Sequence, residues 1–113
     1  MKRILLSLLL GLSSTAVLAD VAVPEKAAAC AACHGDAGAK PIMPAYPVLA
    51  GQYANYLEHA MHEYQDGRRK NAIMAAQMSG LSKADIRALA RYFAAQKGSL
   101  YTPSLSGTQP PQP

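Results

Sequence analysis

Both cysteines of this 113-residue chain lie in one short segment, Cys30-Ala-Ala-Cys33, and a histidine follows directly at position 34. Two thiols separated by two residues, with an imidazole beside them, could form a disulfide, bind a metal ion or attach a porphyrin. Each of these uses places a different demand on the fold and on the cellular compartment. The rest of the sequence therefore decides among them.

The N-terminal segment predicts export from the cytoplasm. Residues 1–3 are Met-Lys-Arg, residues 4–12 form an apolar stretch rich in leucine, and small residues precede Asp20. This order is typical of a secretory signal peptide, which we expect to be residues 1–19 and to be cleaved after Ala19. The apolar run is shorter than the roughly 20 residues of a membrane-spanning helix. We therefore expect a periplasmic protein without stable membrane insertion.

The length of the exported chain predicts one domain. The full sequence has 11 basic and 7 acidic residues, and two of the basic ones belong to the predicted signal peptide. The remaining charge is too small to indicate binding to nucleic acid. Composition predicts a domain over residues 20–98 and a flexible tail, rich in Ser, Pro and Gln, over residues 99–113.

Helical spacing dominates the predicted domain, and no segment alternates like a strand. The pattern predicts helices over residues 24–33 and 52–66, with a loop between them. Residues 73–78 fit either a helical turn or irregular structure. A last helix is expected from Ser82 to just before Gly98, opened by a capping box of Ser82 and Asp85. Its apolar stripe consists of Ile86, Leu89, Ala90, Phe93 and Ala94.

The predicted all-helical setting separates the three uses of the cysteines. A redox dithiol usually lies in a βαβ unit, which is not predicted here. Structural zinc sites usually draw on two separated ligand pairs, and His59 with His62 could supply the second pair. However, the adjacent Cys33 and His34 are poorly placed to share one ion with Cys30.

Covalent attachment of haem requires this spacing. In C-x-x-C-H, the two thiols add to the vinyl groups of one porphyrin, and the histidine turns beneath the plane to bind iron. One helical turn carries all three contacts. We therefore interpret Cys30, Cys33 and His34 as the attachment site of one haem c.

The second axial position of the iron would suit a methionine, because thioether ligation raises the reduction potential. Met43 lies only ten residues after Cys33, and Met61 lies on a helical apolar stripe that favours core packing. Met74 and Met78 are far enough along the chain to return over the other face of the haem. Spacing alone does not separate these last two.

Three blocks of the chain resemble class I c-type cytochromes: CAACHG, PAYPVLAGQYANYL and RRKNAIMAAQMSGLSKADIRALARYFAAQ. The sequence is similar to small periplasmic monohaem members and to each half of the dihaem two-domain members. The resemblance covers residues 26–96. It implies a small all-α fold in which three to four helices surround one covalently attached haem. Family members often have a longer first helix with an aromatic residue, which residues 20–29 lack.

The resemblance also implies the site residues. His34 and Met74 would be the axial ligands, because the family's methionine lies eight residues before the serine that begins the last helix; Met78 is the alternative. The Pro44 carbonyl would accept a hydrogen bond from His34. The implied haem pocket consists of Pro44, Tyr46, Pro47, Leu49, Gln52 and Tyr53.

The expected function is single-electron transfer rather than enzymatic catalysis. Expected redox partners are a respiratory complex, a terminal oxidase or a periplasmic dehydrogenase, and a monomer is favoured. Two alternatives remain: a haem subunit of a dehydrogenase complex, and a haem enzyme or gas sensor with a weakly held sixth ligand. His59 and His62 are expected on the solvated surface. The basic run of residues 68–70 could steer an acidic partner.

Overall fold

The computed structural model describes residues 23–103, and within this range the chain forms four α-helices and no β-strand. The helices are α1 (Ala27–His34), α2 (Ala54–Asp66), α3 (Ala72–Met78) and α4 (Lys83–Ala94). A short 3-10 turn spans Asp36–Gly38. The predicted all-α fold is confirmed. None of the described helices is long and apolar enough to cross a membrane.

The start of α4 is fixed by the predicted capping box. The Ser82 hydroxyl accepts from the Asp85 N–H at 3.1 Å, and the Asp85 carboxylate accepts from the Ser82 N–H at 2.8 Å. Lys26 Nζ lies 2.7 Å from the same carboxylate. The hydrogen bonds from Lys26 and Ser82 lower the pKa of Asp85 to about 2. This ion pair joins the residue that precedes α1 to the first turn of α4.

The apolar stripe of α4 forms the centre of the core. All five predicted residues of the stripe are buried, and Tyr92 is buried beside them. α1 contributes Ala27 and α2 contributes Leu57 to the cluster that contains Leu89 and Phe93. α2 packs against both α4 and α3. It is therefore the central helix of the described structure.

Two helix starts differ from the prediction. α1 begins at Ala27 because the Ala27 N–H donates to the Pro24 carbonyl at 2.9 Å and closes a separate turn there. α2 begins at Ala54 because Tyr53 has the extended backbone typical of an N-cap residue. The predicted end of α2 is correct, since Gly67 follows it with a left-handed φ of 81°.

Residues 73–78 belong to α3, which resolves the two possibilities left open by the sequence. The Asn71 side chain caps this helix by accepting from the Met74 N–H at 3.0 Å. α3 ends at Met78, whose carbonyl accepts from the Gln65 side chain at 2.9 Å. Side chains outside α3 therefore fix both of its ends.

The loop between α1 and α2 is attached to the core at Gly38. The Gly38 carbonyl accepts from the N–H groups of Leu49 and Ala50 at 2.8 and 3.1 Å. Gly38 has a φ of 70°, and a Cβ atom there would lie 2.8 Å from Leu49 Cβ and 2.9 Å from Phe93 Cδ1. Only glycine allows the loop to cross α4 this closely.

The first residues of the predicted tail contact the domain. The Thr102 hydroxyl donates to the Gly51 carbonyl at 2.8 Å, and the Tyr53 hydroxyl donates to the Pro103 carbonyl. Residues 102 and 103 therefore make specific hydrogen bonds to the domain. The predicted signal peptide over residues 1–19 and the remainder of the tail lie outside the described residues.

Candidate functional site

A cavity of about 410 Å³ lies among α1, the following loop, α2 and α3. Its volume falls within the roughly 300–1,000 Å³ of small-molecule and cofactor sites. The lining is mainly apolar, and it includes the two cysteines, His34 and three methionines. The loop contributes Ala45, Tyr46, Pro47, Leu49 and Gln52; α2 contributes Tyr56, Leu57, Ala60, Met61 and Tyr64; α3 contributes Ile73, Met74, Gln77 and Met78.

The two thiols lie on the cavity wall formed by α1. Cys30 and Cys33 are three residues apart on a helix, which places them on one face. Both are free thiols and both are half-buried. Burial raises the pKa of the Cys30 thiol. A raised pKa is the opposite of what a redox-active dithiol requires, since the thiolate is the reactive form.

The zinc arrangement considered from the sequence is not assembled in the described part of the chain. No group of three or more His, Cys, Asp or Glu residues there could hold a metal ion. His59 and His62 do not line the cavity. His59 instead pairs with Glu63 on the surface of α2, at 3.1 Å.

His34 is buried and hydrogen-bonded at the end of α1. The residue is 5% exposed, and Nδ1 lies 2.8 Å from the Pro47 carbonyl oxygen. Because a carbonyl can only accept, Nδ1 carries the proton and Nε2 is left unprotonated in the neutral ring. An oriented, neutral imidazole with a free nitrogen is a suitable iron ligand.

The resemblance pointed to the wrong proline for this hydrogen bond. The Tyr46 N–H donates to the Met43 carbonyl at 3.0 Å and closes a turn that contains Pro44. That turn leaves Pro44 exposed and outside the cavity lining, and the chain returns to His34 at Pro47. Pro47 therefore takes the role expected of Pro44.

The other implied pocket residues divide into two groups. Tyr46, Pro47, Leu49 and Gln52 line the cavity. Tyr53 does not line it, because it precedes α2 and its hydroxyl is bonded to Pro103.

Sequence reasoning missed part of the α2 wall and the rim. The residues at 56, 57, 60, 61 and 64 all line the cavity. Their shared helical face is visible in the sequence as an apolar stripe, and it could have been assigned to the pocket rather than to the protein core. Met61 is an example, since it packs against the core cluster as expected and also lines the cavity. Arg69 also lines the cavity, and no sequence pattern indicated its orientation.

Both candidate methionine ligands reach the cavity. Met74 and Met78 lie one helical turn apart on α3, and both contribute to the lining. Met78 is only 2% exposed, whereas Met74 is partly exposed. α3 packs mainly on α2, so the thioethers and the imidazole of His34 approach the same cavity from different elements.

Comparison with known proteins shows the family of the chain. The cytochrome c family model matches residues 25–97. The chain is 42% identical over 104 residues to cytochrome c4 of Pseudomonas aeruginosa. The aligned residues cover 88% of this chain and 51% of that protein. It is also 42% identical over 76 residues to cytochrome c-554(548) of Halomonas halodenitrificans. This alignment covers 65% of this chain and 90% of that protein.

A third relative is the thiosulfate dehydrogenase electron acceptor of Thiomonas intermedia. It is 39% identical over 100 residues, which cover 88% of this chain and 46% of that protein. The chain therefore spans about half the length of this relative and of cytochrome c4.

The residues present fit the cofactor of this family. Two thiols and an oriented imidazole lie on one helix, at the wall of a mainly apolar cavity that also contains thioethers. Soft sulfur and imidazole donors suit haem iron, and the apolar lining suits the porphyrin. The chain belongs to the cytochrome c family as a class I c-type cytochrome, whose cofactor is covalently bound haem c.

Proposed function

We propose that this cytochrome is a periplasmic monohaem electron carrier, in which Cys30 and Cys33 bond the porphyrin and His34 and Met74 ligate the iron. The bound iron supplies the redox chemistry, because it carries one electron by alternating between ferric and ferrous states. One observation carries the proposal: a single cavity is lined by both thiols, by His34 and by the methionines of α3. Histidine and methionine ligation suits an electron carrier.

The hydrogen bond of His34 supports a stable ligand geometry. The Pro47 carbonyl accepts from Nδ1 and orients the ring, which also raises the basicity of Nε2. Because the ring is buried, water has little access to it. A ligand held in this way keeps its position in both oxidation states, so electron transfer requires little rearrangement.

The exposures of the two methionines favour Met74 as the second ligand. A ligand sulfur must be accessible from the cavity, and Met74 both lines the cavity and is partly exposed. Met78 is 2% exposed in total, which indicates that neighbouring side chains enclose it. The Asn71 cap also fixes the backbone at Met74 directly, since it accepts from the Met74 N–H.

The proposed electron donor is a periplasmic dehydrogenase, and the proposed acceptor is a respiratory complex or a terminal oxidase. The Thiomonas relative supports the first assignment, because its name describes the electron acceptor of a thiosulfate dehydrogenase. On this proposal the chain transfers electrons and does not itself catalyse substrate conversion.

A spectrum and a redox titration of the purified protein test the proposal. We expect covalently bound haem, a ferric absorbance band typical of methionine ligation, and a one-electron midpoint. Met74→Ala should remove the sulfur band and retain the haem, whereas Met78→Ala should retain both. The opposite result would assign the ligand to Met78. A wild-type protein without the band, or one that binds carbon monoxide rapidly when reduced, would contradict the carrier proposal and favour a haem enzyme or gas sensor.

A further inference from the structure

One side chain of α2 holds the turn that joins α3 to α4. The Gln65 amide nitrogen lies 2.9 Å from the Met78 carbonyl oxygen and 2.8 Å from the Leu81 carbonyl oxygen. A primary amide has two N–H donors, so these two contacts use both of them. The Leu81 N–H donates to the Met78 carbonyl at 3.1 Å and closes the turn itself. Gln65 therefore joins the last residue of α3, and the residue before the Ser82 cap of α4, to the end of α2.

The position of α3 depends on its contact with α2. α3 packs mainly on that helix. Within residues 23–103, the bond from Gln65 to Met78 is the only side-chain hydrogen bond that joins α3 to another helix. The other side-chain hydrogen bonds at α3, which involve Asn71 and Ser79, stay within its own two ends. They stabilise the helix but do not attach it to the domain.

The bond to Met78 fixes the direction of α3. Carbonyl groups of an α-helix point along its axis toward the C-terminus, and the last ones have no partner within the helix. A donor placed on the final carbonyl therefore fixes both that end and the direction of the axis. Since α3 has only seven residues, about two turns, any tilt that withdraws Met74 from the cavity also turns the Met78 carbonyl away from Gln65.

We propose that Gln65 is a positioning residue, which keeps α3 closed against the cavity and so keeps Met74 at the haem iron. The inference rests on the proposed function, because it requires Met74 as a ligand. Both amide hydrogen bonds are made only while α3 and the following turn lie on α2. Gln65 is exposed and does not line the cavity, so its effect on the iron site is exerted through α3 alone.

Opening of α3 can be measured with a competing ligand of the iron. Imidazole is neutral, and it occupies the sixth position only after the methionine sulfur has left it. At low imidazole concentration, the second-order rate constant of binding is therefore proportional to the fraction of molecules in which α3 is open. Loss of hydrogen bonds that exist only in the closed state increases this fraction.

Gln65→Leu and Gln96→Leu form a matched pair for the test. The Gln96 side chain donates to the Tyr92 carbonyl at 2.8 Å near the end of α4, and it does not line the cavity. In the ferric, haem-loaded protein, Gln65→Leu should raise the rate constant of imidazole binding by about three- to tenfold, as expected for the loss of one or two hydrogen bonds. Gln96→Leu should leave it unchanged. Gln65→Lys, which keeps N–H donors at this position, should reverse part of the increase.

These variants separate positioning from general stability. A merely structural role for the side chain would accelerate imidazole binding equally in the two leucine variants, and this result would overturn the proposal. An unchanged rate constant in Gln65→Leu would overturn it as well. So would a lysine variant that reacts as fast as Gln65→Leu, because the N–H donors would then have no part in the effect.

A measurement on the unmodified protein covers the case in which the variants fail to fold. In the ferrous, ¹⁵N-labelled wild type, the side-chain amide hydrogens of Gln65 should exchange with water more slowly than those of Asn55. Asn55 is exposed, and its amide nitrogen donates no hydrogen bond within the described part of the chain. Equally rapid exchange would overturn the proposal. A wild-type protein without the ferric sulfur band would instead contradict the proposed function, so the two failures are distinguishable.

Discussion

The two sides of α2 differ in what they pack against. On the side that faces α4, Leu57 joins Leu89 and Phe93 in a core of apolar protein side chains, and Leu57 and Phe93 also reach the cavity wall. On the cavity side, α2 contributes Tyr56 and Tyr64, together with Met61, to the wall of the proposed haem pocket. Both sides follow the same helical spacing. Apolar periodicity therefore predicts burial, and it does not identify the partner that buries the residue.

The largest expected effect is on the α4 side, where a core substitution should lower the stability of the whole domain. Leu89 is 1% exposed at the centre of the cluster. Leu89→Ala should reduce the free energy of unfolding by about 2–5 kcal/mol, because it removes buried methyl groups and leaves a cavity. Urea unfolding of the haem-loaded protein measures this change.

The same helix provides the control for this prediction. Arg91 is exposed, and Arg91→Ala should change the free energy of unfolding by less than about 0.5 kcal/mol. A Leu89→Ala variant as stable as Arg91→Ala would show that this cluster is not the stabilising core. Neither substitution should change the ferric absorbance band, because neither residue lines the cavity.

An intermediate effect is expected at Gly38, where the loop lies close to the cavity-lining Leu49 and to Phe93 of the core. A Cβ atom at Gly38 would lie within 3 Å of Leu49 and Phe93, whereas at Gly67 it would meet nothing within 4 Å. Both glycines have positive φ, so the backbone cost of a substitution to alanine is shared. Gly38→Ala should therefore cost about 1–3 kcal/mol more than Gly67→Ala, which is the usual cost of overpacking. Equal unfolding free energies would show that the loop adjusts without loss.

Local signals in the sequence predicted the α4 side well. The capping box of Ser82 and Asp85 and the stripe that contains Leu89 depend on residues within one helix, so spacing alone reveals them. The attachment motif is equally local, because Cys30 and His34 belong to a single helix.

The cavity side was predicted less well because its geometry depends on the path of the loop. The hydrogen bond of His34 goes to Pro47 rather than Pro44 because a turn intervenes. Tyr53 faces the start of the tail and Tyr56 lines the cavity, since the helix begins between them. The orientation of Arg69 follows from a chain reversal after α2, where the Arg69 N–H donates to the Glu63 carbonyl at 3.0 Å. None of these contacts has a short sequence signature.

The smallest and most discriminating effect concerns the two helix caps. The Ser82 side chain accepts from the Asp85 N–H at 3.1 Å, and the Asn71 side chain accepts from the Met74 N–H at 3.0 Å. Substituting either cap by alanine removes this bond, and at Ser82 also the hydrogen bond from the hydroxyl to the Asp85 carboxylate at 2.8 Å. Each substitution should cost about 1 kcal/mol. Ser82→Ala should lower the midpoints of circular dichroism and of the ferric sulfur band equally during urea unfolding, because α4 belongs to the global core.

Asn71→Ala should instead separate these two midpoints. α3 has only seven residues and its first turn holds the proposed ligand Met74, so losing its cap should favour local opening before global unfolding. The sulfur band should then disappear at a lower urea concentration than the helical signal. Asn71→Asp, which keeps an acceptor at the cap, should restore coincidence of the midpoints. If both alanine variants lose the two signals together, the core side and the cavity side unfold as one unit, and the difference between them is confined to the folded state.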